Sequence, residues 1–244
     1  MSDSLVIIPT YNEKENIEKI IRKVFSLNFF FEILIIDDGS PDGTADIVKA
    51  LQQEYPALHL EERKGKLGLG TAYIHGFKYG LRHGYQYLFE MDADFSHNPE
   101  DLTRLRAACV EGADIAIGSR YVKGVNVVNW PMSRVLMSYF ASMYVRIITG
   151  ISIQDATAGF KCYSREVLAT IPLDKIKFVG YAFQIEMKFT AINYGFKVVE
   201  VPIIFTDRTE GTSKMSTRIF REAFLGVIQM KVTSWFRKYD RKNG

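Results

Sequence analysis

The chain is poor in the residues that build thiolate metal centres or disulfide frameworks. Its 244 residues include only two cysteines, Cys109 and Cys162, far apart and without a CxxC partner, and four histidines. That argues against a zinc site or a cystine-stapled domain, and both thiols read as core or surface groups of a reduced, cytoplasmic protein. Long apolar runs are also missing. The longest uncharged apolar stretch, Val135 to Val145, is bounded by Arg134 and Arg146 and falls short of the roughly 20 residues a spanning helix needs. Met1-Ser2-Asp3-Ser4 enters a strand-like run without a basic leader, so neither a signal peptide nor a membrane span is expected. No nucleic-acid motif or aromatic-interleaved basic stretch is present, and no nucleic-acid partner is expected.

Net charge is small, at +3, but unevenly placed. From Lys214 onward eight Lys/Arg stand against Glu222 and Asp240, a local net of +6, which leaves −3 on the first 213 residues. A basic tail on a mildly acidic body fits an anionic surface, lipid headgroups being favoured over nucleic acid; a solvated helix with a frayed end is the alternative.

What is present is a 47% hydrophobic composition, enough for a sizeable core. Apolar runs alternate with helical stretches in the first half. Strands are expected at Leu5 to Ile8, Glu32 to Ile36, Ala57 to Glu62, Tyr85 to Glu90 and Asp114 to Ile117. Helices are expected at Lys14 to Ser26, Thr44 to Tyr55, Gly68 to Gly84 and Asp101 to Glu111. Such alternation predicts an α/β fold with a mostly parallel sheet and helices on both faces. After Val125 the pattern predicts helices at Pro131 to Thr149, Phe178 to Tyr194 and Thr217 to Lys238, and a strand at Lys197 to Phe205. In the last helix Phe220, Phe224, Val227 and Trp235 share a face, with Lys231 out of place among them.

Ligands of parallel sheets sit beyond the carboxyl ends of the strands. There the sequence places Pro9 to Glu13, Asp37-Asp38, Asp92-Ala93-Asp94 and Gly118-Ser119-Arg120. On a strand Asp92 and Asp94 would face one way, and paired carboxylates suit Mg2+ or Mn2+ completed by phosphate. An acidic turn capping the helix near Pro99 is the alternative. Asp155 either lines a sugar pocket or belongs to a turn, and Gln184 and Glu186 either face the site or lie on the surface. His97 reads as a loop residue beside the metal.

Five blocks in order, Ile8-Pro9-Thr10-Tyr11-Asn12-Glu13, Ile36 to Thr44, Met91-Asp92-Ala93-Asp94-Phe95-Ser96-His97, Gly118-Ser119-Arg120-Tyr121 and Arg208-Thr209-Glu210-Gly211-Thr212-Ser213-Lys214, resemble those of dolichol-phosphate (polyprenol-phosphate) mannosyltransferases. These are inverting family-two glycosyltransferases with an A-type, Rossmann-like fold. The chain resembles their short type without membrane-spanning helices. The resemblance implies one domain, with a nucleotide-sugar half at 1–125, an acceptor half at 126–216 and a basic amphipathic helix at 217–244.

It further implies that Pro9, Tyr11, Glu13, Ile36 and Asp38 hold the nucleotide, Asp38 on the base. Asp92, the Ala93 carbonyl and Asp94 would meet Mg2+ or Mn2+ and the diphosphate; Ser96 stands where some relatives carry a metal-binding Gln. Arg120, Arg208 and Lys214 would bind phosphates, Arg134 with Ser138 would receive the lipid phosphate, and Asp94, Arg208 and Lys214 would carry catalysis. The expected reaction moves mannose from GDP-mannose to a polyprenyl phosphate with inversion, giving a β-linked lipid product, on a protein held peripherally at the cytoplasmic face of an anionic membrane. Rival expectations are another donor such as UDP-glucose, or a hydroxyl acceptor served by Asp155 or Glu186 as base. A non-catalytic nucleotide-binding scaffold is a further rival.

Overall fold

The computed structural model describes residues 2–207 and 217–240, without the side chains of 217–223. The first half runs β1 (Ser4–Thr10), α1 (Ile17–Phe25), β2 (Glu32–Asp37), α2 (Thr44–Leu51), β3 (Leu58–Glu62), α3 (Leu69–Arg82), β4 (Tyr87–Glu90), α4 (Asp101–Val110) and β5 (Ile115–Ser119). The second half runs β6 (Val127–Val128), α5 (Met132–Thr149), β7 (Lys161–Ser164), α6 (Arg165–Thr170), a 3-10 turn, α7 (Tyr181–Asn193), β8 (Val198–Pro202), β9 (Phe205–Thr206) and α8 (Thr217–Ser234).

Seven strands form one sheet in the order β3-β2-β1-β4-β7-β5-β8, parallel except for β7, which runs antiparallel to both neighbours. The central strands β1 and β2 are nearly continuous apolar runs because both faces are covered. Val6, Ile8, Ile33 and Ile35 pack with Ile20 and Val24 of α1, Val48 of α2 and Leu102 of α4. Leu5, Ile7, Leu34 and Ile36 pack on the other face with Tyr73 and Phe77 of α3, Leu168 of α6 and Phe183 of α7. Gly76 and Gly80 bring α3 against the sheet: a Cβ at either position would collide with Ile7 or Leu88.

Three differences from the sequence expectations bear on the site. The short strand β7 fills the middle of the sheet; its four residues include Lys161, whose charge hides it from any hydrophobic pattern. The strand expected at Lys197 to Phe205 breaks after Pro202, and β9 pairs instead with β6 in a separate two-stranded ribbon. Strand β4 ends at Glu90, so Asp92 and Asp94 lie in a loop.

Candidate active site

Because β1 sits between β2 and β4, the loops that follow these three strands lie side by side. Asp37 ties two of them together, accepting hydrogen bonds from the Thr10 hydroxyl (2.9 Å) and from the Ser40 N–H (2.8 Å) and hydroxyl (2.6 Å). Ser40 Oγ accepts the Asn12 N–H at 3.0 Å, and Thr44 Oγ1 accepts the Glu13 N–H at 3.1 Å. The left-handed backbone at Asn12 (φ 57) turns the chain for these contacts. Pro9, Tyr11 and Glu13 remain half-buried at this edge, with Lys66 Nζ 4.8 Å from the Tyr11 ring centre.

Ile36 is fully buried in the core, so it offers a ligand its backbone only. Asp38 is also buried: Arg63 donates to its Oδ1 from Nε at 2.6 Å, and the Leu67 N–H reaches Oδ2 at 3.2 Å. Asp38 is therefore half of a buried ion pair. Arg63 follows β3 directly, so it too lies at the carboxyl end of a strand, like the other site loops.

Asp92 and Asp94 line one cavity of about 420 Å³. The loop, not strand alternation, delivers them there, turning at Phe95 (φ 59). At the start of α4 the Glu100 N–H is taken by Asn98 Oδ1 (3.1 Å). Ser96 turns its N–H back to Asp94 Oδ1 at 3.1 Å. His97 is buried, stacked on Phe160 (4.8 Å), and its Nδ1 accepts the Asp92 N–H at 3.4 Å. Burial lowers its pKa to about 4, so at neutral pH His97 is an uncharged wedge that shapes the loop.

Among the described residues no three His, Cys, Asp or Glu side chains converge as a closed metal cage. Two carboxylates on the cavity wall nevertheless fit a hard cation such as Mg2+ or Mn2+, which takes oxygen ligands and would supply countercharge to a phosphate group.

Arg120, at the end of β5, is buried and gripped by Asp155: Nε donates to Oδ2 at 2.7 Å, Nη2 to Oδ1 at 2.6 Å, and the backbone N–H to Oδ2 at 3.0 Å. Thr157 Oγ1 accepts from Nη2 at 2.8 Å. Burial pushes the Asp155 carboxyl upward, but the Arg120 charge and hydrogen bonds outweigh it and hold the pKa below the ordinary value. Asp155 is thus a structural counter-ion that fixes the cavity wall at Thr157, Ala158 and Gly159. Glu186 points elsewhere, into a separate cleft, where it accepts the N–H groups of Lys177 and Phe178 at 2.9 and 3.0 Å. Neither serves as a base in the cavity.

Arg134 and Ser138 line the cavity from α5. Arg134 lies 4.2 Å over the Trp130 ring and pairs with Asp207 at 2.7 Å. The β6/β9 ribbon makes this pair possible, since the Asp207 N–H binds the Val128 carbonyl at 3.1 Å. Arg208 follows directly in sequence; Arg208 and Lys214 lie outside the described residues. The rest of the wall is largely apolar, with Met137, Phe140 and Tyr144 of α5, Ile185 of α7, and Phe224 and Val227 of α8.

Beside the cavity α5 exposes Met132, Leu136, Phe140, Met143 and Ile147, α8 exposes Leu225, Ile228 and Val232, and Trp235 and Phe236 are exposed just after α8. The two helices meet where Tyr144 stacks on Phe224 (4.4 Å). The sequence pattern predicts one apolar face for α8. It has two, because Val227 and Met230 are buried while the second stripe is exposed. Lys231, out of place in the pattern, donates to the Thr149 carbonyl at the end of α5 (3.0 Å), where a cation meets the negative end of a helix.

A parallel-rich sheet with an acidic loop at the carboxyl end of a central strand is the architecture of A-type glycosyltransferases. A mannosyltransferase from Pyrobaculum calidifontis, solved with GDP-Man and Mn2+, superposes with a TM-score of 0.59 at 18% identity, over 97% of this chain and 64% of that one. The model of glycosyl transferase family 2 matches residues 5–171. Over 99% of this chain and 90% of the relative, the sequence is 49% identical to a polyprenol monophosphomannose synthase of Mycolicibacterium smegmatis. It is 46% identical to an undecaprenyl-phosphate mannosyltransferase of Micrococcus luteus, over 92% of each chain. The chain belongs to glycosyl transferase family 2.

Proposed function

We propose that this enzyme transfers mannose from GDP-mannose to a polyprenyl phosphate, with inversion, at a membrane surface. The observation that carries the reading is the cavity itself: Asp92 and Asp94 on its wall, Arg134 paired with Asp207 at another part of it, and a largely apolar remainder beside the exposed stripes of α5 and α8. Such a lining suits an anionic head joined to an isoprenoid tail. The names of the two relatives and the GDP-Man held by the solved mannosyltransferase support the same substrates.

In the reaction a non-bridging oxygen of the lipid phosphate forms a bond to the anomeric carbon. The bond from that carbon to GDP breaks, and its electron pair leaves on the diphosphate. A phosphate monoester, with a second pKa of about 6, is largely ionised at neutral pH and needs no base. This favours a phosphate over a hydroxyl acceptor, because Asp155 is consumed by Arg120 and Glu186 faces another cleft.

Asp92 and Asp94 would hold Mg2+ or Mn2+, with the Ala93 carbonyl beside them; the chemistry the ion supplies is countercharge for the leaving diphosphate. Pro9, Tyr11, Glu13, Ile36 and Asp38 hold the nucleotide in this reading. Arg134 and Ser138 position the acceptor phosphate, and Arg208 and Lys214 meet phosphate charge that develops in the transition state. Arg120 acts chiefly through the wall it shares with Asp155.

Purified protein incubated with labelled GDP-mannose, a short polyprenyl phosphate and Mg2+ or Mn2+ tests the proposal, with UDP-glucose in parallel. Label appearing in a β-linked polyprenyl phosphate mannose is expected. Transfer from UDP-glucose in preference to GDP-mannose, or to a hydroxyl acceptor instead of the phosphate, would overturn it.

A further inference from the structure

One polar side chain on the cavity wall has a fixed orientation and a donor with no protein partner among the described residues. Gln184, on the buried helix α7, lines the cavity and is only 4% exposed. Its Oε1 accepts a hydrogen bond from Lys161 Nζ. Lys161 is fully buried on β7, and the antiparallel register sets it directly opposite Glu90 of β4, with Nζ 3.0 Å from Oε2. Tyr163 donates to the other Glu90 oxygen at 2.8 Å.

A buried charge without partners is costly, so the Glu90–Lys161 pair is anchored. An ammonium only donates, and a carboxamide has one accepting end. Lys161 therefore dictates which way the Gln184 amide faces: oxygen toward the sheet, Nε2 toward Gly159. Among the described residues Nε2 donates to no protein acceptor. Gly159, also on the cavity wall, leaves the space in front of it open, since a Cβ there would lie 3.6 Å from Nε2.

We infer that Gln184 is a specificity-determining residue for the transferred sugar, donating from Nε2 to one hydroxyl oxygen of the hexose, with Lys161 as its positioning residue. The inference rests on the donor reading above. A site built to hydrogen-bond a hydroxyl discriminates by leaving a buried polar group unmatched when the hydroxyl is missing or misplaced.

The test measures binding of GDP, GDP-mannose and its monodeoxy analogues by calorimetry in the presence of Mn2+, for wild type, Gln184→Ala and Gly159→Ala. One monodeoxy analogue should bind wild type about three- to tenfold more weakly than GDP-mannose, the range for a single hydrogen bond. That penalty should vanish in Gln184→Ala, while GDP binding is unchanged. Gly159→Ala, which strains no backbone and leaves the Lys161 contact intact, should weaken GDP-mannose binding but not GDP binding. It keeps the test decisive if Gln184→Ala fails to fold. Deoxy penalties identical in wild type and Gln184→Ala, or equal losses for GDP and GDP-mannose in either variant, would overturn the inference. If wild type binds GDP-mannose no more tightly than GDP, the donor reading fails instead. The same comparison then decides the role of Gln184 with the sugar nucleotide that does bind.

Discussion

Replacing Asp155 by Asn probes the most heavily bonded ion pair beside the cavity. The wild-type carboxylate takes three hydrogen bonds from Arg120, two from the guanidinium and one from the backbone. Asn keeps one oxygen but turns an NH2 toward guanidinium donors and strands a cation that is 4% exposed. Breaking one side of a buried pair costs roughly 3–5 kcal/mol. At about 2–4 °C per kcal/mol for a chain of this size, the melting temperature should fall by about 6–20 °C at pH 7. Differential scanning calorimetry reads this directly.

The same pair predicts a pH dependence and a rescue. The Asp155 pKa is depressed in the folded state, so its stabilisation is present above the unfolded carboxylate value near 3.9 and is lost as pH falls through the lower folded value. Wild type and Asp155→Asn should therefore converge in stability only in strong acid. A double variant, Arg120→Met with Asp155→Leu, removes both charges and should be more stable than Asp155→Asn alone, because no unpaired ion remains. A melting temperature for Asp155→Asn within about 2 °C of wild type at pH 7 would refute the reasoning. So would a double variant less stable than either single one.

The strand-end loops were legible in the sequence because two local rules, apolar runs and the polar residues that terminate them, coincide at β1, β2, β4 and β5. The residues that shape the cavity were not, because their roles depend on partners distant in the chain. Nothing near Asp155 announces that Arg120, 35 positions earlier, will occupy it. Lys161 breaks the apolar pattern of β7, and only the antiparallel register with β4 shows that Glu90 neutralises it. Helix α7 is buried on nearly every side, so periodicity could not separate Gln184, which faces the cavity, from Glu186, which does not. Lys231 made sense only once the end of α5 lay beside it. Strand alternation predicts that Asp92 and Asp94 share a site, but β4 ends at Glu90 and a loop with a left-handed turn at Phe95 carries them.

Three further outcomes are expected. Asp94→Asn should fold normally and lose most of the Mn2+-dependent part of its GDP-mannose affinity by calorimetry; an unchanged metal dependence would remove Asp94 from the metal. Arg134→Ala should raise the KM for polyprenyl phosphate by about tenfold, the value of one charge-assisted contact, with the GDP-mannose KM nearly constant; a selective loss of donor affinity would place Arg134 on the other substrate. The last concerns the membrane. Trp235 and Phe236 are 70% and 85% exposed at the end of the apolar stripe of α8, next to Arg237 and Lys238. Burying two aromatic side chains in the interface contributes about 3 kcal/mol after discounting for partial insertion, on the order of 100-fold in partitioning. Nearby basic residues add roughly 1 kcal/mol each on an anionic surface, a part that salt screens beyond about 10 Å at 0.1 M. Co-sedimentation with anionic vesicles should therefore weaken partially with salt in wild type. It should fall sharply at every salt concentration in Trp235→Ser/Phe236→Ser. If that variant sediments like wild type throughout, Trp235 and Phe236 are not the anchor, and the exposed apolar residues of α5 and of α8 itself are left to account for vesicle binding.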